Sequence, residues 1–243
     1  MSAQPKRVAL LGAGLFATQG MWSTLQIYGF LSFFFWMHLP FHPTDTRVLS
    51  RSAYLPALER LKDKYTLVAV YSRSLSSAST LTKTASELLG VSESSLALYH
   101  DQGGSSADLN ALLSTAPIDA VIITLPITVQ PDIVLAALRA GKHVLSEKPV
   151  AADVSSGYSL ITEYQEKYAP KGLHWRIAEN FECEPGLMKA AEAIRTGRIG
   201  KLSHWRLRQA GGIETDDQYY KTSWRTMPDY QGGFLVRDSS DLR

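Results

Sequence analysis

Six residues near the start, Gly12-Ala13-Gly14-Leu15-Phe16-Ala17, have the types and spacing to do chemistry. They form G-x-G-x-x-A directly after residues 7–11 (RVALL), an apolar run of strand character. In that setting the first glycine makes a tight turn and the second lets a pyrophosphate reach backbone amides. The small third residue lets the following helix pack on the strand. The helix N-terminus adds partial positive charge. The pattern describes a dinucleotide site with Gly12, Gly14, Leu15, Phe16 and Ala17 as its contacts. A second candidate is the end of the next strand, where an acid binds the 2′-hydroxyl of NAD and an arginine accommodates the 2′-phosphate of NADP. Residues 67–71 (LVAVY) run into Ser72-Arg73, with no acid at that place. Ser72 and Arg73 therefore point to NADP, with NAD as the alternative. The bland reading of Arg73 is a solvated turn residue.

The elements that must position these residues follow from apolar patterning. Residues 7–11, 67–71, 97–99, 119–125 and 143–145 read as strands whose apolar runs do not alternate, as expected when both faces are covered. Helical segments fall at 54–64, 76–89, 107–114 and 131–140, the last closed by Gly141. This alternation predicts an α/β fold, a doubly wound parallel (Rossmann) sheet over residues 1–150. Residues 151–243 read as the start of an incomplete α+β domain. It contains helices at 155–168 and 187–196, a sixth strand at 175–180 and a half-exposed antiparallel strand at 202–209.

A strand-turn-helix-strand unit of this type takes roughly 30 residues. Here Gly12 and Ser72 lie 60 positions apart, and leaving out residues 20–51 shortens the separation to 28. The segment, with its aromatic run FLSFFFWM, reads as an insertion into the first helix. Its codons offer an explanation. Gly20-Met21-Trp22 can be written with GTATGT and Val236-Arg237 with GTAAGA, both of them donor-like strings. The expectation is of two retained introns, one read through in frame and one running into a stop.

At Ala140–Pro149 (AGKHVLSEKP) the chain resembles the Gfo/Idh/MocA oxidoreductases. Residues 178–181 (AENF), 197–202 (GRIGKL), Ser223-Trp224-Arg225 and Gln231-Gly232-Gly233 extend the likeness. The resemblance implies hydride transfer between NAD(P) and a hydroxyl or carbonyl carbon of a sugar, cyclitol or related small molecule. It implies Lys148 as the active-site lysine, Glu147 near the nicotinamide ribose, and Leu125-Pro126 lining the cofactor groove. Asn180, Trp224 and Arg225 match positions near the nicotinamide pocket; the bland readings are a capping amide and a surface aromatic–arginine stack. Many relatives carry a histidine after Pro126, where this chain has Thr128 and Gln130, a difference that bears on substrate class. His143, inside a strand, reads as structural.

The family continues past its G-G-x-L with an aspartate and a histidine. Here Gln231–Leu235 is followed by VRDSSDLR, with no histidine and with Asp238 and Asp241 out of place. The expectation is a truncated chain without turnover, lacking most of the sheet that forms the family's substrate wall and homo-oligomer interface. The rival reading is a non-catalytic dinucleotide-binding or interaction module.

Composition narrows the classes further. A formal charge of +2 gives no basic surface for nucleic acid. The lone Cys183 forms no intrachain disulfide and suits a reducing compartment, and the N-terminus lacks a secretory pattern, so the reading is cytoplasmic. Residues 25–41 are interrupted by Gln26, Ser32, His38 and Pro40 and fall short of the ~20 apolar residues of a membrane span. A membrane anchor through them is the third reading. No metal site is read from the sequence.

Overall fold

The computed structural model describes residues 4–13, 54–179 and 181–206, together with Met227 and Tyr230. Residues 20–51 and the chain beyond Tyr230 lie outside them.

Six parallel strands form one sheet. They are β1 (Lys6–Leu11), β2 (Tyr65–Tyr71), β3 (Ala97–Tyr99), β4 (Ala120–Ile123), β5 (His143–Ser146) and β6 (Trp175–Ile177), in the order β3-β2-β1-β4-β5-β6. This is the doubly wound Rossmann order, in which the sheet grows outward in both directions from β1. Among the described residues, the α-helices between strands are α1 (Tyr54–Arg60), α2 (Leu75–Leu89), α3 (Leu109–Thr115), α4 (Gln130–Arg139) and α5 (Val154–Lys167). The expected elements are thus present, with ends shifted by a few residues.

The non-alternating runs have the expected cause. Along β1, Val8 and Leu10 pack with Leu55, Leu58 and Leu81 on one face. Ala9 and Leu11 pack with Leu112, Leu138 and Leu160 on the other. Side chains of a strand alternate in direction, so two covered faces require four consecutive apolar residues.

Short polar side chains start the helices. Ser74 accepts from the Ser77 amide, Asp108 from Ala111 and Asp153 from Ser156. Each satisfies an amide that the first helical turn leaves without a partner. Helix α4 ends as its glycine predicts. Gly141, at φ 73°, donates to Leu138 O and Lys142 donates to Ala137 O, a Schellman closure that turns the chain directly into β5.

The first compact unit runs to Ala178 and the second begins at Glu179. Helix α5 packs on the sheet and strand β6 pairs with β5, and both lie within the first unit. In the second unit α6 (Pro185–Arg195) forms the expected helix. Residues 202–206 carry no strand, unlike the alternating strand expected over 202–209, whose last three residues lie outside the described residues. All five are exposed, and no neighbouring strand among the described residues offers them a ladder to join.

Candidate functional site

The carboxyl ends of the strands are locked together just beyond the sheet. Gly12 N donates to Tyr71 O at 2.7 Å and Thr124 N to Leu11 O at 2.8 Å. Glu147 N donates to Ile123 O at 3.0 Å and Ser72 N to Tyr99 O at 3.2 Å. These bonds continue the ladder into the loops, so the residues after β1, β2, β4 and β5 sit on the rigid sheet. Between β1 and β4 the strand order reverses, and in such sheets ligands bind in the crevice outside that point.

Gly12 stands at this crevice with φ +111°, in the left-handed half of backbone space. A Cβ there would lie 2.7 Å from Thr124 Oγ1, 2.8 Å from Thr124 O and 2.9 Å from Thr124 C. Two of those atoms are backbone and cannot turn aside. Thr124 is itself buried, and its hydroxyl reaches Leu11 O and Gly12 O, each at 3.1 Å. The two loops therefore touch backbone to backbone, and the left-handed φ makes the tight turn that a dinucleotide fold requires of its first glycine. Gly14, Leu15, Phe16 and Ala17 lie outside the described residues, as do Asn180, Trp224 and Arg225.

The Glu147-Lys148-Pro149 turn follows β5 at the same end of the sheet. Three side chains fix it. Gln130, fully buried at the start of α4, donates its Nε2 to Glu147 O at 2.7 Å and to Pro149 O at 2.9 Å, thereby spanning Lys148. Two carbonyl partners settle which end of the amide is nitrogen. Tyr54, at the head of α1, donates its hydroxyl to Glu147 Oε1 at 2.6 Å. Burial, then the Glu147 charge and the hydrogen bond, push the Tyr54 phenol well above its ordinary range, so it stays a donor to the carboxylate. Trp175 of β6 donates its ring N–H to Ser146 Oγ at 3.0 Å, in front of the turn. Lys148 is half-buried between these supports.

Glu147 itself is buried, with one carboxylate oxygen engaged by Tyr54. Leu125 is buried and Pro126 exposed in the loop after β4, beside the glycine turn. Ser72 is buried and Arg73 exposed at the end of β2. The sheet therefore brings Gly12, Ser72, Leu125 and Glu147 to one end. Sequence reasoning missed Thr124 and Tyr54. It took Gln130 as bearing on substrate, whereas its amide nitrogen holds backbone carbonyls of the lysine turn.

His143 lies at the opposite, amino end of β5, stacked on His174 with ring centroids 5.2 Å apart. Its place away from the glycine turn agrees with a structural role. Among the described residues no cluster of His, Cys, Asp and Glu is placed to hold a metal ion. No helix among them is long and apolar enough to cross a membrane, and residues 25–41 lie outside them.

A six-stranded parallel sheet in this order, with a left-handed glycine turn at its switch point and a braced lysine turn at the same end, defines a dinucleotide-binding Rossmann protein. The sequence model of the Gfo/Idh/MocA family, an oxidoreductase family with an NAD-binding Rossmann fold, matches residues 48–170, and the chain belongs to that family. A dehydrogenase from Fusarium mangiferae is 39% identical over 191 residues, covering 78% of this chain and 51% of that protein. A Saccharomyces cerevisiae protein is 28% identical over 190 residues, 78% of this chain and 49% of the relative. The chain thus spans about half the length of these curated relatives. Among solved structures, an oxidoreductase from Thermotoga maritima superposes with a TM-score of 0.64 at 25% identity, over 99% of this chain and 59% of that one. The WlbA dehydrogenase of Bordetella pertussis, solved with NADH and UDP-GlcNAcA, shares the fold at 16% identity and a TM-score of 0.60. That match covers 100% of this chain and 54% of the other.

Proposed function

We propose that this chain forms the dinucleotide-binding half of an oxidoreductase that transfers hydride between NADP(H) and a hydroxyl or carbonyl of a sugar, cyclitol or related small molecule. The observation that carries the reading is the backbone contact of Gly12 with Thr124 at the strand-order reversal, beside the braced Glu147-Lys148-Pro149 turn. The bound nicotinamide supplies or accepts the hydride. The chain's own residues do the rest. The glycine turn at Gly12 would hold the pyrophosphate, Leu125 and Pro126 would line the groove, and Glu147 would bind the nicotinamide ribose. Lys148, held on both sides by Gln130, gives or takes a proton at Nζ as the substrate oxygen changes charge.

The NADP preference rests on the end of β2. Ser72 is buried, leaving Arg73 as the exposed side chain next in sequence after it. A guanidinium forms paired, charge-assisted bonds to a phosphate, each stronger than a neutral hydrogen bond. Bonds to charged groups are worth about 1.5–3 kcal/mol. Arg73→Ala should therefore weaken NADPH roughly 10- to 100-fold and NADH by less than about twofold. Titration of the full chain with each cofactor, followed by nicotinamide fluorescence, reads both constants. Equal losses for the two would refute the 2′-phosphate contact.

A further inference from the structure

We propose that Asp101 is a second determinant of cofactor preference and that Tyr71 restrains it, an inference that rests on the NADP reading of the β2 end. The last residue of β2 is Tyr71, and the turn that faces the cofactor's 2′ position in this fold follows it. No acid lies within the turn, but one is fastened to it from the neighbouring strand. After β3 the chain enters Asp101-Gln102. Asp101 N donates to Arg73 O at 3.3 Å, and Ser72 N donates to Tyr99 O at 3.2 Å. Leu75 N donates to Gln102 Oε1 at 2.9 Å. The two loops are one hydrogen-bonded unit, with the exposed residues Arg73 and Asp101 both at its surface.

The Tyr71 hydroxyl lies 2.9 Å from Asp101 Oδ1 and 2.8 Å from Oδ2. Its ring is buried in the sheet's core, so the contact draws the carboxylate inward against β2. Burial first, then the bond to Asp101, raise the phenol far above its ordinary range; Asp108 acts in the same direction and Arg73 against it. The hydroxyl therefore keeps its proton and donates it. Asp108 is otherwise engaged, its Oδ1 capping α3 through the Ala111 amide at 2.8 Å.

The chemistry of the two cofactors differs at one group. A ribose 2′-hydroxyl donates to a carboxylate, whereas a 2′-phosphate is repelled by it. The phenol leaves Asp101 its charge but occupies both oxygens and fixes where the carboxylate sits, held against β2. Arg73, exposed at the turn, is then the group placed to meet a 2′-phosphate. Without the phenol, the Asp101 oxygens can turn toward the ribose, the arrangement that suits NADH and disfavours NADPH.

The test is the ratio of NADH to NADPH dissociation constants for the full chain and for Tyr71→Phe, Asp101→Asn and the double variant. Tyr71→Phe should lower the preference for NADPH at least tenfold. Asp101→Asn should raise it at least threefold. The double variant should return to the parent's ratio or above. Packing damage from Tyr71→Phe would weaken both cofactors alike and would not be rescued by removing the acid. A parent that prefers NADPH, with a ratio that neither single variant moves, overturns this proposal alone. A parent that binds NADH as well as NADPH, or neither, overturns the NADP reading and this inference with it. Should Tyr71→Phe fail to fold, the exposed Asp101→Asn decides the matter by the same threefold criterion.

Discussion

Gln130→Leu removes the brace of the lysine turn while nearly conserving volume. In the parent, Nε2 donates to a buried carbonyl, Glu147 O, and to the half-buried Pro149 O. A buried acceptor left without a donor costs about 1–3 kcal/mol. Glu147 O takes roughly 2 kcal/mol of that, and Pro149 O, which water can reach, about 1 kcal/mol. Against this, no donor among the described residues meets Gln130 Oε1 in its buried position, and removing it returns about 1 kcal/mol. The net loss is about 2 kcal/mol, a fall of roughly 1 M in the urea midpoint at a typical slope for small proteins. Gln130→Glu supplies the control. Its carboxylate would face two carbonyl oxygens, so at neutral pH it should be less stable than Gln130→Leu. The clash raises the folded-state pKa of the new carboxyl above its unfolded value of about 4.3. Stability relative to the parent is then regained as pH falls through the folded pKa, because a protonated carboxyl can donate. Urea melts of parent and variants at several pH values measure both effects. A Gln130→Leu protein as stable as the parent, or a Gln130→Glu protein indifferent to pH, would refute the clamp.

Two further outcomes follow from geometry. Gly12→Ala places a Cβ within 2.9 Å of Thr124 backbone atoms at a φ of +111°, which neither loop can relieve. Strain of this type costs about 1–3 kcal/mol, and both melting temperature and NADPH affinity should fall; unchanged affinity would count against the crevice as the cofactor site. His143 provides a pH dependence. Burial, then the neighbouring His174 and Lys6, lower its pKa, and its Nδ1 must stay unprotonated to accept from His174 N at 3.0 Å. Since the folded pKa lies below the unfolded value of about 6.5, its stabilisation is full above that pH and is lost as pH falls through the folded pKa. The urea midpoint should drop between pH 7 and pH 5 in the parent and drop less in His143→Phe; parallel curves would contradict the assignment.

What could be read from the sequence was whatever depends on neighbouring residues. Val8 to Leu11 declare a strand covered on both faces because period-two packing demands an unbroken apolar run. Gly141 declares the end of α4 because few other residues accept its backbone angle. Residues 202–206 misled because alternation is only an opportunity for pairing, and none of the described strands pairs with them. The supports of the site stayed hidden for the opposite reason. Tyr54 meets Glu147 across 93 positions, Thr124 meets Gly12 across 112, and Tyr71 meets Asp101 across 30. Such partners become neighbours only when the strand order is known. Glycine spacing and the Ser-Glu-Lys-Pro string marked where the chemistry lies, but no local pattern marks what holds it in place.

A dinucleotide bound as proposed lies across the carboxyl ends of β1 and β4 with its reactive ring beside Lys148. A crystal structure of the full chain grown with NADPH would show it. The expected density places the pyrophosphate over the Gly12 turn, the 2′-phosphate at Arg73, and the nicotinamide facing the Glu147-Lys148-Pro149 turn. Density for the cofactor at any other surface, or none at saturating NADPH, would contradict it.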